Sequence, residues 1–384
     1  VSFVDGDRED LGYWLRLVLT PGLGPVRARR LLEHFGLPHA IFESAGGMLA
    51  EAVGEHLARA LRAHDPERER CIARALDWAG ADDHHLVTLA DPDYPALLLQ
   101  IPDPPPLMYL TGRRETLARP MLSMVGSRNA TAGGVANARA FGRALSEAGW
   151  TIASGMALGI DGAAHEGSLE GGSGTLAVLG TGADVLYPAR HKGLAARIAL
   201  DGAILSELPL GTEPAPGLFP RRNRLIAGLS HGVLVVEAAM KSGSLITAAQ
   251  AGDFGRDVFA IPGSIHSPLA RGCHALIRQG AKLVESIEDL LTELPPANHP
   301  LDPRTRPMSA SAHSAAVPLQ TPIDAPDHDP ILAVLGHEPV LPDTLAMHLD
   351  LPSGALGARL VMLELAGDLQ RLPDGRVIRP PPIG

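Results

Sequence analysis

Three things are scarce or missing in this chain of 384 residues: cysteine, long apolar runs, and an excess of basic charge. The two cysteines, Cys71 and Cys273, cannot form a disulfide framework, which makes a reducing cytoplasm the expected setting. The histidines show no HExxH spacing and no cysteine pair has zinc-ligand separation, so no metal is expected. No apolar run is long enough to span a bilayer. Asp5, Asp7, Glu9 and Asp10 precede any apolar stretch, so no signal peptide is expected either. Two nucleotide signatures are also missing. There is no G-x-x-x-x-G-K-[ST] loop, and GSRNATAGG at 126–134 is not G-x-G-x-x-G. A dinucleotide site would place an acid about 20 residues past its fingerprint, yet the next strand ends in Ser154-Gly155, so NAD is disfavoured and no cofactor is expected.

The net charge of −10 argues at first against a nucleic-acid partner. Its distribution changes that reading. Residues 1–111 hold 10 basic and 17 acidic side chains, whereas residues 112–294 hold 17 and 16. A local basic groove can bind an anion on an acidic protein.

What is present is a series of short apolar runs, each joined to a small polar turn that opens a helix. They read MLSMVGSRNATAGG (121–134), TIASGMALGIDGAAH (151–165), LAVLGTGADVLYP (176–188), FPRRNRLIAGLS (219–230), VLVVEAAMKSGSLITAAQAG (233–252) and VFAIPGS (258–264). Helices are expected at 135–148, 191–200 and 245–251, the last two stopping at Gly202 and Gly252. The alternation predicts an open α/β class with a parallel sheet. Such a sheet lines up its turns on one edge, where backbone N–H groups and helix N-termini favour phosphate oxygens.

Four regions follow from the pattern. Residues 1–85 read as a helical domain, in which TPGLGPVRARRLLEHFG (20–36) resembles a helix–hairpin–helix; packing is favoured over DNA contact there because this region is acidic. Residues 86–294 carry the α/β pattern, opening on a strand near 86–91. Residues 295–327 hold eight prolines without periodicity and read as an extended linker. Residues 328–384 give helices at 331–335, 343–349 and 353–365 and a hairpin around Pro373-Asp374-Gly375, a winged helix. Its third helix has one base, Arg359, which suits a protein contact or regulatory role better than phosphate neutralisation.

The candidate binding residues lie in the turns. Gly126, Ser127 and Arg128 form an expected amide cradle with a forked cation. Ser154, Gly155, Gly180 and Gly182 end the next two strands. Arg190 and Lys192 follow Tyr187-Pro188. Phe219, Arg221, Arg222, Asn223 and Arg224 combine phosphate contacts with a stacking face suited to single strands, although a helix whose arginines pair with acids gives the same pattern. Lys241, Ser242, Gly243 and Ser244 add a cation and small hydroxyls.

An enzymatic alternative uses the same edge. Phosphoribohydrolases carry G-G-x-G-T-x-x-E, and Gly243–Gln250 aligns with it, but Gln250 stands where the glutamate would be and cannot exchange a proton near neutral pH. Asp161, His165 and Glu237 remain as tempting catalytic groups. Asp161 also suits a helix cap, and Glu237 a pairing with Arg224 or Lys241.

Taken together, GSR, SGMALGIDGAAH, GTGADVLYP, FPRRNRLIAGLS, VEAAMKSGSLITAA and GRDVFAIPG, in this order, resemble the DprA/Smf family of bacterial DNA-processing proteins. The resemblance implies an extended Rossmann-like parallel sheet, flanked by a helical N-terminal domain and a C-terminal winged helix. It implies binding and protection of single-stranded DNA, loading of the RecA recombinase in natural transformation, a homodimer through the sheet domain, and neither cofactor nor chemical step.

Overall fold

The computed structural model describes residues 5–297, 329–335, 339–372 and 374–380. Most of the proline-rich stretch 295–327 therefore lies outside the described residues.

Six helices come first: α1 (Asp5–Val18), α2 (Pro25–Phe35), α3 (Pro38–Glu43), α4 (Gly46–Val53), α5 (Glu55–Arg62) and α6 (Pro66–Trp78). The Gly22–Gly24 turn hands over to Pro25 as the first residue of α2, where a missing N–H does no harm. The apolar side of this hairpin packs inward. Leu23, Ala28 and Leu31 close over Leu17, Ile41, Leu49 and Leu61, and Arg29 pairs with Glu33 at 2.9 Å.

The strands then assemble into one sheet: β1 (His84–Thr88), β2 (Leu107–Gly112), β3 (Met121–Val125), β4 (Thr151–Ser154), β5 (Thr175–Val178), β6 (Ala203–Ser206), β7 (Gly232–Val235), β8 (Asp257–Ala260) and β9 (Lys282–Leu283). Their order is β1-β2-β6-β5-β4-β3-β7-β8-β9. The block from β6 to β9 is parallel, and β1 and β2 extend it as an antiparallel ribbon on β6. Between them run α7 (Ala132–Glu147), α8 (Ile160–Gly171), α9 (Lys192–Asp201), α10 (Leu218–Leu229), α11 (Gly243–Asp253) and α12 (Arg271–Arg278), and α13 (Ile287–Glu293) follows β9.

Helices cover both faces, so β3 to β7 are buried from end to end. Successive side chains point to opposite layers. Met121 and Val125 pack with Leu225, Ile226 and Leu229 of α10, whereas Leu122 and Met124 pack with Ala138 and Leu145 of α7 and Ile160 of α8. The strand order reverses between β3 and β7, which makes their carboxyl ends the switch point of the sheet.

Two expectations need correction. FPRRNRLIAGLS marks no strand end: it is α10, and the strand before it is β6, separated from it by the proline-broken loop 207–217. Helix α11 does not stop at Gly252 but runs to Asp253 and is closed by Phe254.

The C-terminal part forms α14 (Pro330–Leu335), α15 (Pro342–Leu349) and α16 (Ser353–Leu365), with β10 (Gln370–Arg371) and β11 (Val377–Ile378) as an antiparallel hairpin. Ile331, Leu335, Leu345, Leu356, Leu360 and Val377 form its core, and Ala132 at the start of α7 packs into the same cluster. Among the described residues no helix is long and apolar enough to cross a membrane.

Candidate nucleic-acid interface

The turn after β3 is held from three sides. Ser127 donates its N–H to the Glu237 carbonyl (2.8 Å), accepts at its own carbonyl from Ile160 (3.2 Å), and accepts at Oγ from the Asn129 amide (3.2 Å). The Ser127 amide is therefore committed inside the fold, and the expected cradle loses that donor. Gly126 sits wedged between the Ile160 side chain and the Glu237 carbonyl. What the turn presents outward is Arg128, which is exposed and forms no ion pair among the described residues.

Its guanidinium carbon stands 5.5 Å from the centroid of Phe219 on α10. The Tyr187 ring lies 5.6 Å from the same ring, tilted by 44°, and is half exposed. Gly180, at the end of β5, backs directly on Phe219. An arginine and two aromatic rings from three different connections thus share one surface, a combination of cation and stacking faces suited to an unpaired base and its phosphate. Tyr187 was not among the candidate residues. Its signal in the sequence was its position in the same turn as Arg190 and Lys192, and both cations are exposed without an ion pair among the described residues.

One turn further along α10, the Asn223 amide donates to the Gly243 carbonyl at 3.4 Å and brings the next loop alongside. That loop carries Lys241, exposed and without an ion pair among the described residues. Ser242 accepts from the Ser244 amide at 3.3 Å and caps α11, while the two hydroxyls lie 2.6 Å apart. Ser244 is buried, and Gly243 is open to solvent.

Several candidates turn inward instead. Ser154 is fully buried and donates from Oγ to the Met124 carbonyl at 2.6 Å; the Gly155 amide is taken by the Asp161 carboxylate at 3.2 Å. The Gly182 amide donates to the Thr212 carbonyl at 3.0 Å. Arg222 is buried and donates to the Val178 carbonyl. Burial lowers its pKa to about 10, against the pull of Asp161 in the other direction. Arg224 is buried too, in an ion pair with Glu207 and another with Asp103 at 3.1 Å, and Arg221 reaches Glu207 at 3.3 Å. Burial raises the Glu207 carboxyl, and Arg224 and Arg221 pull it back. The arginine cluster is therefore largely a helix pairing with acids. A single sequence does not reveal that Glu207 and Asp103 lie opposite it.

Two of the tempting catalytic groups are internal, and the third, Glu237, is half-buried. Asp161 does not cap α8 but reaches back to the amides of Gly155 and Ala157, and burial raises its pKa while Arg222 lowers it. His165 is fully buried with Nδ1 2.8 Å from Thr175 Oγ1; burial, then His191 and Arg222, depress its pKa to about 3. Glu237 accepts from the Thr131 amide (2.9 Å) and from Thr131 Oγ1 (2.6 Å), and Arg224 has its partners elsewhere. Among the described residues no three His, Cys, Asp or Glu side chains come together as metal ligands would.

A family profile described as DNA recombination-mediator protein A matches residues 85–295. The chain belongs to that family. The DprA winged helix profile matches residues 314–375. Among relatives of this DprA/Smf family, Protein Smf of Synechocystis sp. is 36% identical over 96% of this chain and 98% of its own length. The DNA processing protein DprA of Streptococcus pneumoniae is 46% identical over 55% of this chain and 78% of its own. The X-ray structure of that pneumococcal protein superposes with a TM-score of 0.65 at 37% identity, covering 74% of this chain and 98% of the solved one. DNA processing protein A from Helicobacter pylori, solved to describe its single-stranded DNA binding mode, gives a TM-score of 0.50 at 27% identity over 55% of this chain and 94% of its own.

Proposed function

We propose that this member of the family binds single-stranded DNA along the carboxyl edge of its sheet and delivers it to a RecA recombinase. The observation that carries the reading is the Arg128–Phe219–Tyr187 group, an exposed guanidinium and ring beside a half-buried ring, with no carboxylate paired to the cation among the described residues. Arg190, Lys192 and Lys241 continue the cationic surface, and Asn223 and Gly243 join its two halves. The H. pylori relative, named for binding single strands, supports the same reading.

On this reading the protein performs no chemical step. Asp161 is bound by backbone amides and His165 is buried and neutral, which leaves neither placed for proton exchange with a substrate. The working division is a helical domain at 1–85, the sheet domain at 86–294, a linker at 295–327 and the winged helix at 328–384. The sheet domain is assigned the strand-binding and homodimer contacts, in the cytoplasm. The winged helix is assigned a protein contact, because Arg359 is held by Asp329 at 3.1 Å and α16 has no other base.

Oligonucleotide affinity measured against salt tests the reading. Each phosphate contact contributes roughly −0.7 to the log–log slope for single strands. Arg128→Ala is expected to weaken binding about tenfold and to flatten the slope by about one such contact. Equal affinity and slope in wild type and variant would refute the assignment, as would preference for duplex DNA.

A further inference from the structure

We infer that Glu237 seals the phosphate seat of this sheet with its own carboxylate and so bars free phosphate and mononucleotides from it. In a doubly wound sheet an anion is received at the switch point, on the N-terminus of the helix that follows the first strand. Here that helix is α7, 16 residues long, following β3. The donors of its cap residue, Thr131, are already engaged by the chain's own carboxylate. Thr131 N donates to one Glu237 oxygen at 2.9 Å and Thr131 Oγ1 to the other at 2.6 Å, while Thr131 Oγ1 also accepts from Gly134 N at 3.0 Å.

The carboxylate lies against the first turn itself. A Cβ added to Gly134 would stand 2.5 and 2.7 Å from its two oxygens. Glycine at 134 is therefore what lets an anionic group approach this closely, and the group that does so belongs to the chain. A negative charge here is favoured by the helix dipole whatever its source. Glu237 also engages the neighbouring turn, since its carbonyl accepts the Ser127 amide at 2.8 Å. Beside the carboxylate is a cavity lined by Thr131, Gly134, Asn137, Gly263 and Ser264. Removing the carboxylate would connect the seat to space that already exists.

The geometry of the seat stands alone; its consequence for ligand choice rests on the strand-binding reading. With the internal seat filled, an anion must be held by the exposed cations and rings outside it. A strand touching several of these at once gains over a single nucleotide, which touches one or two.

The test uses the full chain as wild type, Glu237→Ala and Glu237→Ser, both of which remove the carboxylate from Thr131. Inorganic phosphate and AMP are titrated calorimetrically, and the unfolding midpoint is followed with phosphate concentration. Wild type should show no saturable uptake, and the variants should bind phosphate at least about tenfold tighter. Saturable binding by wild type at the variants' affinity overturns the inference, and so do folded variants that ignore phosphate. Should the variants fail to fold without phosphate, added phosphate must restore the fold; failure to do so also overturns it. Oligonucleotide binding is measured separately. Its absence in wild type would sink the strand-binding reading and leave the phosphate result readable.

Discussion

The guanidinium of Arg222 occupies the space into which a side chain at position 155 would project. A Cβ on Gly155 would stand 2.7 Å from its central carbon. The glycine at the end of β4 and the second arginine of α10 are thus one packing unit beneath the surface, with Asp161 as its counter-charge. Gly155→Ala is expected to destabilise the fold by about 2 kcal/mol, because the arginine must move and leave the Val178 carbonyl. Chemical denaturation checks it, and a midpoint equal to that of wild type would contradict this packing.

Arg224 and Glu207 are buried together, which fixes the reading of any variant there. Arg224→Ala leaves the buried Glu207 with only the half-exposed Arg221 as its cation and should cost about 3 kcal/mol of stability. Loss of DNA binding in that variant would then follow from unfolding, whereas Arg128→Ala should melt like wild type. Comparing both melting curves with both affinities separates the two. A stable Arg224→Ala protein that binds poorly would restore Arg224 to the interface.

Tyr187 and Arg190 occupy one turn and should fail in different ways. Tyr187→Ala removes a ring and is expected to weaken oligonucleotide binding by about 1–2 kcal/mol at an unchanged salt slope. Arg190→Ala removes a charge and should flatten the slope by roughly 0.7. Titrations at several salt concentrations distinguish these outcomes, and identical slopes in all three proteins would remove Arg190 from the surface.

His165 makes the stability of the protein depend on pH. Its pKa falls from 6.5 to about 3 on folding, mainly by burial. Between those values the unfolded chain holds a proton that the folded chain does not, so stability falls as pH falls from 6.5 toward 3. The slope from this group approaches about 1.4 kcal/mol per pH unit once pH is well below 6.5. His231 is lowered by burial too and adds a contribution of the same sign. Urea denaturation at pH 7, 6 and 5 should show a shallower loss for His165→Gln than for wild type. Parallel slopes would exclude His165 as a source.

The sheet was legible because its strands are short apolar runs punctuated by glycine, a pattern set by local chemistry. The winged helix was legible from helix spacing and a Pro-Asp-Gly turn. Strand β6 escaped notice because no glycine turn opens a helix directly after it; the proline-broken loop 207–217 follows instead. The site was half legible. Arg128, Arg190 and Lys241 are exposed where turns were expected, yet nothing local to FPRRNR announces that Glu207 and Asp103 face its arginines across the fold. Tyr187 joined the surface only once the chain had brought it beside Phe219. Sequence reveals which turns share an edge; which side chains point out of it depends on partners far along the chain.

The antiparallel ribbon β1–β2 has a practical consequence. Leu107 and Tyr109 of β2 are buried against Trp14, Leu15, Ile72 and Ala75, so the N-terminal helices share an apolar core with the outermost strands. Cutting the chain at residue 112 would strip two strands from β6 and leave its hydrogen-bonding edge bare. A fragment made that way would be prone to pair with itself, and its self-association would be mistaken for assembly of the native protein.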